Sequence, residues 1–169
     1  MRQMSPGRSR SVRAWMSAAR SRRTRGTTNR PDHSVGVSCS DLWVTRFHPW
    51  RVVRELGVKV SWPANMPWRI LGLCDPSSMT IYLNRARLVT QVERRCTLTH
   101  ELVHLHHGHQ GAQPSRIEAA VRAETARLLI PDDALESALC WSTDVFELAE
   151  SLWVTEAVVR DRLEGLRCV

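Results

Sequence analysis

The chain has 169 residues, which suits one domain of ordinary size with some residues to spare. Its hydrophobic content of 43% is enough for a core, and no run approaches the roughly 18 apolar residues of a membrane-spanning helix. Five scattered cysteines without a C-x-x-C pair argue against a disulfide framework and favour a reducing compartment. We therefore expect a cytoplasmic protein that does not contact membranes.

The net charge of +7 is distributed unevenly along the chain. Residues 1–30 hold nine arginines and no acidic residue, whereas the other 139 residues hold 15 basic and 17 acidic side chains and carry −2. An argument from charge for binding nucleic acid therefore applies only to the N-terminal tail.

The tail, residues 1–40, is rich in Arg, Ser, Thr and Gly and is predicted to be disordered, because it can bury little apolar surface. It lacks the apolar segment of a secretory signal. Three interpretations stay open: a passive tail or a wrongly assigned start, a segment that contacts nucleic acid, and an organelle transit peptide of similar composition. Residues 41–169 are predicted to form a single domain.

The first predicted elements are a helix and three strands. The helix covers residues 41–56 and is interrupted near Pro49. The short segments "VKVSW" and "RILGLC", and the alternating "MTIYLN" of residues 79–84, are typical of strands separated by Pro and Gly.

Helices dominate the rest of the chain. A long helix is expected from Arg85, with Asn84 as its N-cap, to about His107, where Gly108 ends it. The later predicted helices cover residues 115–130, 132–141, 143–151 and 155–166. This order predicts an α+β fold with a small sheet of about three strands, a long helix and a C-terminal helical subdomain over residues 132–168.

The long predicted helix carries the string "HELVH", in which His100 and His104 are four residues apart. Residues at this spacing lie on the same helix face, one turn apart. The string is the H-E-x-x-H pattern, in which two neutral imidazoles bind zinc and the glutamate, here Glu101, acts as general base. The ion lowers the pKa of the water it binds, and a carboxylate within reach accepts the proton.

A chance match on a solvated helix is the alternative interpretation of this string. Leu98, Leu102 and Leu105 form an apolar stripe beside it, which favours a helix packed in a core. The longer pattern with a third histidine ligand fails, because His107 and Gln110 occupy the positions of its glycine and its last histidine. The third ligand is therefore expected to be an acid.

Several neighbouring residues leave alternatives open. Periodicity favours Glu124 over Glu118 as the third ligand, because Glu124 shares a helix face with apolar residues and a carboxylate there needs a partner. His107 or His109 could polarise a substrate carbonyl, or both could be surface histidines at the helix end. Cys96 could reach the metal from one turn away, or be a buried structural cysteine.

Three segments resemble the ImmA/IrrE family of bacterial metallopeptidases. They are the strand "TIYLN", the helical segment "ERRCTLTHELVH" and the helix pattern E-x-x-V-R-x-E-T-x-x-L-L-I-P. The resemblance covers residues 41–168. It implies that Glu118, thirteen residues before Pro131, is the third zinc ligand, beside the histidine ligands and the catalytic glutamate of "HELVH".

The chain departs from the family pattern at five positions of these two helices. The second helix has Val, Arg and Glu where the family usually has Ala, Asn and Phe, and the first has Thr and Val where small residues are usual. These positions are Val121, Arg122, Glu124, Thr99 and Val103.

The resemblance implies a zinc endopeptidase with a protein substrate, commonly a helix-turn-helix repressor encoded nearby on a mobile element or in a stress circuit. An edge strand such as residues 79–83 is expected to hold the substrate backbone in extended form beside the metal.

The C-terminal segment "VFELAESLWVTEAVVRDRLEGL" itself has the look of a helix-turn-helix. Its second helix begins with an acidic residue, and Trp153 takes the turn position often held by Gly, so DNA contact is not expected. The alternative function is a regulator that binds DNA or a repressor through these helices and the basic tail without cleaving it.

Overall fold

The computed structural model describes residues 47–167. The tail predicted over residues 1–40, and the first part of the helix predicted from residue 41, lie outside the described residues. The described chain is mostly helical with one small sheet, so the predicted α+β class is confirmed. In chain order the elements are α1 Pro49–Leu56, β1 Lys59–Ser61, β2 Gly72–Asp75, β3 Thr80–Leu83, α2 Gln91–His107, α3 Ser115–Leu129, α4 Asp132–Leu139, α5 Val145–Leu152 and α6 Glu156–Arg167.

Helix α1 begins at Pro49, and Phe47 and His48 just before it are not helical, so the described residues do show the chain leaving helical conformation near Pro49. His48 is extended and forms the N-cap, and Gly57 ends the helix with a left-handed φ of 65°. Proline suits the first helical turn because its missing N–H would have no partner inside the helix.

The sheet has the strand order β1-β3-β2, with β1 parallel and β2 antiparallel to β3. The prediction that residues 79–83 form an edge strand is therefore wrong. Three of the four residues of β3 are buried, including Ile81 and Leu83, as expected of the strand with a neighbour on each side. The outer strand β2 contacts α2.

Helix α2 begins at Gln91, six residues later than predicted, because Thr90 and Glu93 form a capping box. The Thr90 hydroxyl accepts a hydrogen bond from the Glu93 backbone N–H at 3.1 Å, and the Glu93 carboxylate accepts one from the Thr90 N–H at 2.8 Å. Asn84 is not the N-cap. Its amide donates to the carbonyls of Pro67 and Ile70, which fixes the loop before β2.

The C-terminal helices are joined to the rest of the described chain by two buried arginines. Arg162 of α6 donates to the Ile130 carbonyl at 3.0 Å and also bonds the carboxylate of Asp132. Arg95 of α2 donates to the carbonyl of Trp153, the left-handed residue that ends α5, at 2.8 Å. These bonds fix the last two helices against α2 and α3.

The core lies between the sheet, α2 and the later helices. Its largest fully buried apolar side chains are Val52, Ile81, Leu83, Leu88, Leu98, Leu102, Val103, Val121, Ile130, Leu148 and Val159. Within residues 47–167 we find no helix that is both long and apolar enough to cross a membrane.

Candidate active site

The two histidines of the H-E-x-x-H pattern meet on one face of α2. The Nε2 atoms of His100 and His104 lie 3.0 Å apart, and the two rings meet edge to face. The helical repeat alone produces this pairing, because a side chain four residues on lies one turn further along the same face.

Glu118, in the first turn of α3, completes the cluster. Its Oε2 lies 3.5 Å from His100 Nε2, and its Oε1 lies 3.5 Å from His104 Nε2. Ligand atoms of a tetrahedral zinc ion with bonds of about 2.0–2.1 Å are about 3.3 Å apart. The separation of the two ring nitrogens, and that of each nitrogen from the nearer Glu118 oxygen, are close to this value, and one ligand atom from each residue can be chosen so that all three lie within 4.8 Å of one another. Two imidazoles and one carboxylate are therefore placed to hold a single metal ion.

The structure separates the two glutamates that the sequence offered as third ligand. Glu124 lies elsewhere, with its Oε2 2.8 Å from His107 Nε2. Cys96 belongs to neither group of three possible metal ligands found in residues 47–167. Burial raises the pKa of its thiol, which favours the protonated form over the thiolate that binds metals.

The electrostatic surroundings keep both imidazoles neutral. Burial, and then the neighbouring His104, lowers the pKa of His100 to about 4. Burial is also the largest cause of the lowered pKa of His104, against the opposing attraction of Glu118. A neutral ring is the form that binds a metal ion, so the site is preset for ligation.

Glu101 is buried beside this cluster, and it is 6% exposed. Burial, and then the negative charge of Glu118, raises the pKa of its carboxyl from 4.5 to about 8. A carboxyl that titrates near neutral pH can both accept and return a proton, which general acid–base chemistry requires.

In the metal-free protein, Glu101→Gln is expected to increase stability much more at pH 8 than at pH 5. The folded chain keeps a proton on Glu101 that the unfolded chain releases between pH 4.5 and 8, so stability falls as pH rises through that window. Glutamine has no such proton. One pKa unit corresponds to about 1.4 kcal/mol, so the gain at pH 8 is on the order of a few kcal/mol.

Denaturant unfolding of both proteins at the two pH values, after removal of metal with a chelator, measures this gain. The lowered pKa of His100 acts in the opposite direction, because it costs stability as pH falls below 6.5. That cost is present in both proteins and cancels in the comparison. An equal gain at pH 5 and pH 8 would contradict the raised pKa.

Gly72 is a residue of the candidate site that the sequence interpretation missed. Strand β2 passes so close to α2 that a Cβ at Gly72 would lie 2.7 Å from both Cγ and Oε1 of Glu101 and 2.9 Å from Cγ2 of Thr97. Real Cβ atoms do not approach other atoms this closely, so only glycine leaves room for the Glu101 side chain in its present position.

The variant Gly72→Ala is expected to displace the Glu101 carboxyl and to lower any hydrolytic rate by about 10-fold or more, because misplacing a reacting group by about 1 Å is costly. Zinc binding should change little, since the atoms nearest to the added Cβ belong to Glu101 and Thr97 and not to the three proposed ligands. Rate and zinc affinity measured on the same preparation check both points. Gly165→Ala is the control, because its Cβ would meet no atom closer than 3.8 Å.

A cavity of about 550 Å³ opens onto the cluster. Strand β2 and the residues before it form one wall, and α6 contributes to another. The residues that line it include Leu71, Gly72, Leu73, His100, Glu101, His104, Glu118, Arg122, Ala157, Val158 and Asp161. The cavity is large enough for several atoms of an extended chain to reach the cluster.

His109 contacts His104 on the side of the ring opposite to Glu118. Its Nδ1 lies 3.0 Å from Nδ1 of His104, the ring nitrogen that does not face Glu118. The Cys74 thiol donates to the His109 carbonyl at 3.5 Å. A partner on the second nitrogen fixes the tautomer and orientation of a ligating histidine. His107 instead faces Glu124, so the two candidate histidines have different surroundings.

The start of α6 faces the cavity. Ala157, Val158 and Asp161 line the cavity. Asp161 also forms an ion pair with Arg122 of α3, with its Oδ1 3.3 Å from Arg122 Nε. In a helix-turn-helix that reads DNA, the beginning of the second helix is the part that enters the major groove. That α6 does not contact DNA stays a prediction.

Comparison with known protein families gives one result. The model of the IrrE N-terminal-like domain, a peptidase domain, matches residues 53–164, from within α1 to within α6. We found no significant match to the chain among curated proteins or among solved structures.

Proposed function

Because the chain belongs to the peptidase family with an IrrE N-terminal-like domain, we propose that it is a zinc-dependent endopeptidase acting on a regulatory protein. The observation that carries this proposal is the cluster of His100, His104 and Glu118, with separations of 3.0–3.5 Å, beside a buried Glu101. This is the donor set of a catalytic zinc site with three protein ligands.

The residues divide the chemistry between them. A zinc ion, when bound, supplies Lewis-acid chemistry for hydrolysis of a peptide bond. His100, His104 and Glu118 would hold the ion, and His109 keeps the His104 ring in its orientation. Glu101 would accept the proton from the attacking water and pass it to the leaving amine, a role supported by its buried position at the cavity beside the three ligands.

Strand β2 is the better candidate for holding the substrate. Among residues 47–167 it pairs only with β3, and it passes directly against Glu101 at Gly72. Leu71 and Leu73 on either side are each 41% exposed and line the cavity. A substrate segment added to the free edge of β2 would lie extended beside the catalytic glutamate. This role replaces the one predicted for β3.

The proposed substrate is a helix-turn-helix repressor. This part of the proposal rests on the ImmA/IrrE resemblance. Co-expression of the chain with repressors encoded near its gene, followed by mass spectrometry of the fragments, tests the proposal. We expect one repressor to be cut at an internal bond by the wild type and to stay intact with Glu101→Gln. If no candidate is cut while one binds the zinc-loaded protein tightly, the non-catalytic regulator is the better function.

No contact among the described residues specifically favours that alternative. Helix α6 would have to read the DNA, but its first turns line the cavity. The turn before α6 is fixed by a hydrogen bond from Arg95 to the Trp153 carbonyl. DNA binding that weakens with salt and persists after deletion of residues 1–40 would favour the regulator.

A further inference from the structure

A second cluster of possible metal ligands lies at the C-terminal end of α2. His106 and His107 of the last helical turn meet Glu124 of α3, and each offers one ligand atom. These three atoms all lie within 4.8 Å of one another. The cluster shares no residue with the first site, so the two groups can be tested separately.

Contacts already present hold the second cluster together. His107 Nε2 lies 2.8 Å from Glu124 Oε2, with 39% and 21% of the two side chains exposed. The His106 ring packs edge to face on the His107 ring, and the His109 ring stacks with the His107 ring at a centroid distance of 5.4 Å. The His107 ring is therefore positioned before any ion arrives, which lowers the ordering cost of binding.

The chemistry of the cluster suits a divalent transition metal. Two imidazoles and one carboxylate are ligands that zinc accepts, with bonds of about 2.0–2.2 Å. The 2.8 Å contact between His107 and Glu124 must open by about half an ångström to reach the ligand spacing of a tetrahedral ion. The partly exposed side chains allow this movement and give an ion a route in from solvent.

The position of the cluster also attracts a cation. It lies at the last turn of α2, which Gly108 ends, and the carbonyl end of a helix carries partial negative charge. Glu124 adds a carboxylate at the same place, on the side of α3 that faces α2.

We propose that His106, His107 and Glu124 form a second site for a divalent transition-metal ion, most closely matched by zinc. An ion there would link the last turn of α2 to α3. It would also fix His107 against His109, the residue that contacts the ligand His104. We expect this site to bind more weakly than the first, because the 2.8 Å contact between His107 and Glu124 must open before an ion can be enclosed.

Equilibrium dialysis of the full chain against buffered free zinc, with elemental analysis of the bound metal, tests this second site. We expect the wild type to bind two equivalents, one tight and one weaker. His107→Ala and Glu124→Gln should each remove the weaker equivalent and leave the tight one. The matched controls His48→Ala and Glu136→Gln, which change exposed side chains outside both clusters, should retain two equivalents.

A single equivalent in the wild type, or a weaker equivalent that survives both His107→Ala and Glu124→Gln, would overturn the second site. His100→Ala separates this question from the proposed function. Loss of the tight equivalent alone supports both sites. If His100→Ala instead keeps the tight equivalent, the proposed peptidase centre fails, while loss of the weaker equivalent in His107→Ala still supports the second site.

Discussion

Replacing Glu101 by glutamine is expected to lower the rate of substrate cleavage by about 10²–10⁴-fold, the usual contribution of a general base. Glutamine has nearly the same size and still fits beside Gly72, but its amide cannot accept the proton from water. None of the three proposed zinc ligands is changed. The bound zinc should therefore stay at the wild-type level while cleavage is lost.

The informative result is the pair of measurements on one preparation, namely the cleavage rate and the zinc content. Glu150→Gln is a matched control, because Glu150 lies exposed on α5 outside the cavity lining. Cleavage lost together with zinc would mean that Glu101 is a ligand or a structural residue. Cleavage retained at the wild-type rate would be incompatible with Glu101 as the base.

The part of the site that could be predicted from the sequence is the part that lies within one helix. His100 and His104 meet because of the helical repeat, which depends on no other element of the fold. The end of the same helix at Gly108 could also be predicted, since glycine adopts the left-handed conformation at little cost.

The beginning of this helix was predicted wrongly although the sequence contained the signal. Asn84 and Thr90 are both good N-cap residues, but only Thr90 has a glutamate three residues later to complete a capping box. The amide of Asn84 is used instead by two carbonyls of the loop before β2. The capping box of Thr90 and Glu93 was a more specific signal for the start of the helix than Asn84 alone.

The central position of β3 and the role of Gly72 depend on contacts between distant residues. The parallel pairing of β1 with β3 places β3 between the other strands, and short strands do not reveal their neighbours. Gly72 is needed only because β2 crosses Glu101, which is 29 positions later in the sequence. No local pattern around Gly72 indicates that crossing.

The choice between the two glutamates of α3 depends on tertiary packing in the same way. Periodicity favoured Glu124, since a carboxylate on an apolar face needs a partner, and Glu124 does have one in His107. Both glutamates face histidines of α2, so the need for a partner could not distinguish them. The spacing from Glu118 to Pro131, read against the ImmA/IrrE pattern, selected the glutamate that the structure places at the histidine pair.

Glu118→Ala is expected to weaken the tight zinc site by more than about 100-fold, whereas Glu124→Ala should leave that affinity unchanged. Loss of a residue that only supports a ligand typically costs about 10–100-fold in metal affinity, so loss of a ligand should cost more. The variant leaves two neutral imidazoles without the carboxylate that offsets the charge of the ion.

Competition with a chelating dye, at zinc concentrations that fill only the tight site, measures this affinity. The same substitution removes the nearby charge that helps to raise the pKa of Glu101, so that pKa should fall toward its ordinary value. Equal zinc affinity in the wild type and Glu118→Ala would remove Glu118 from the site. A weakened tight site in Glu124→Ala would instead assign the third ligand to Glu124, because the two glutamates differ mainly in which histidines they reach.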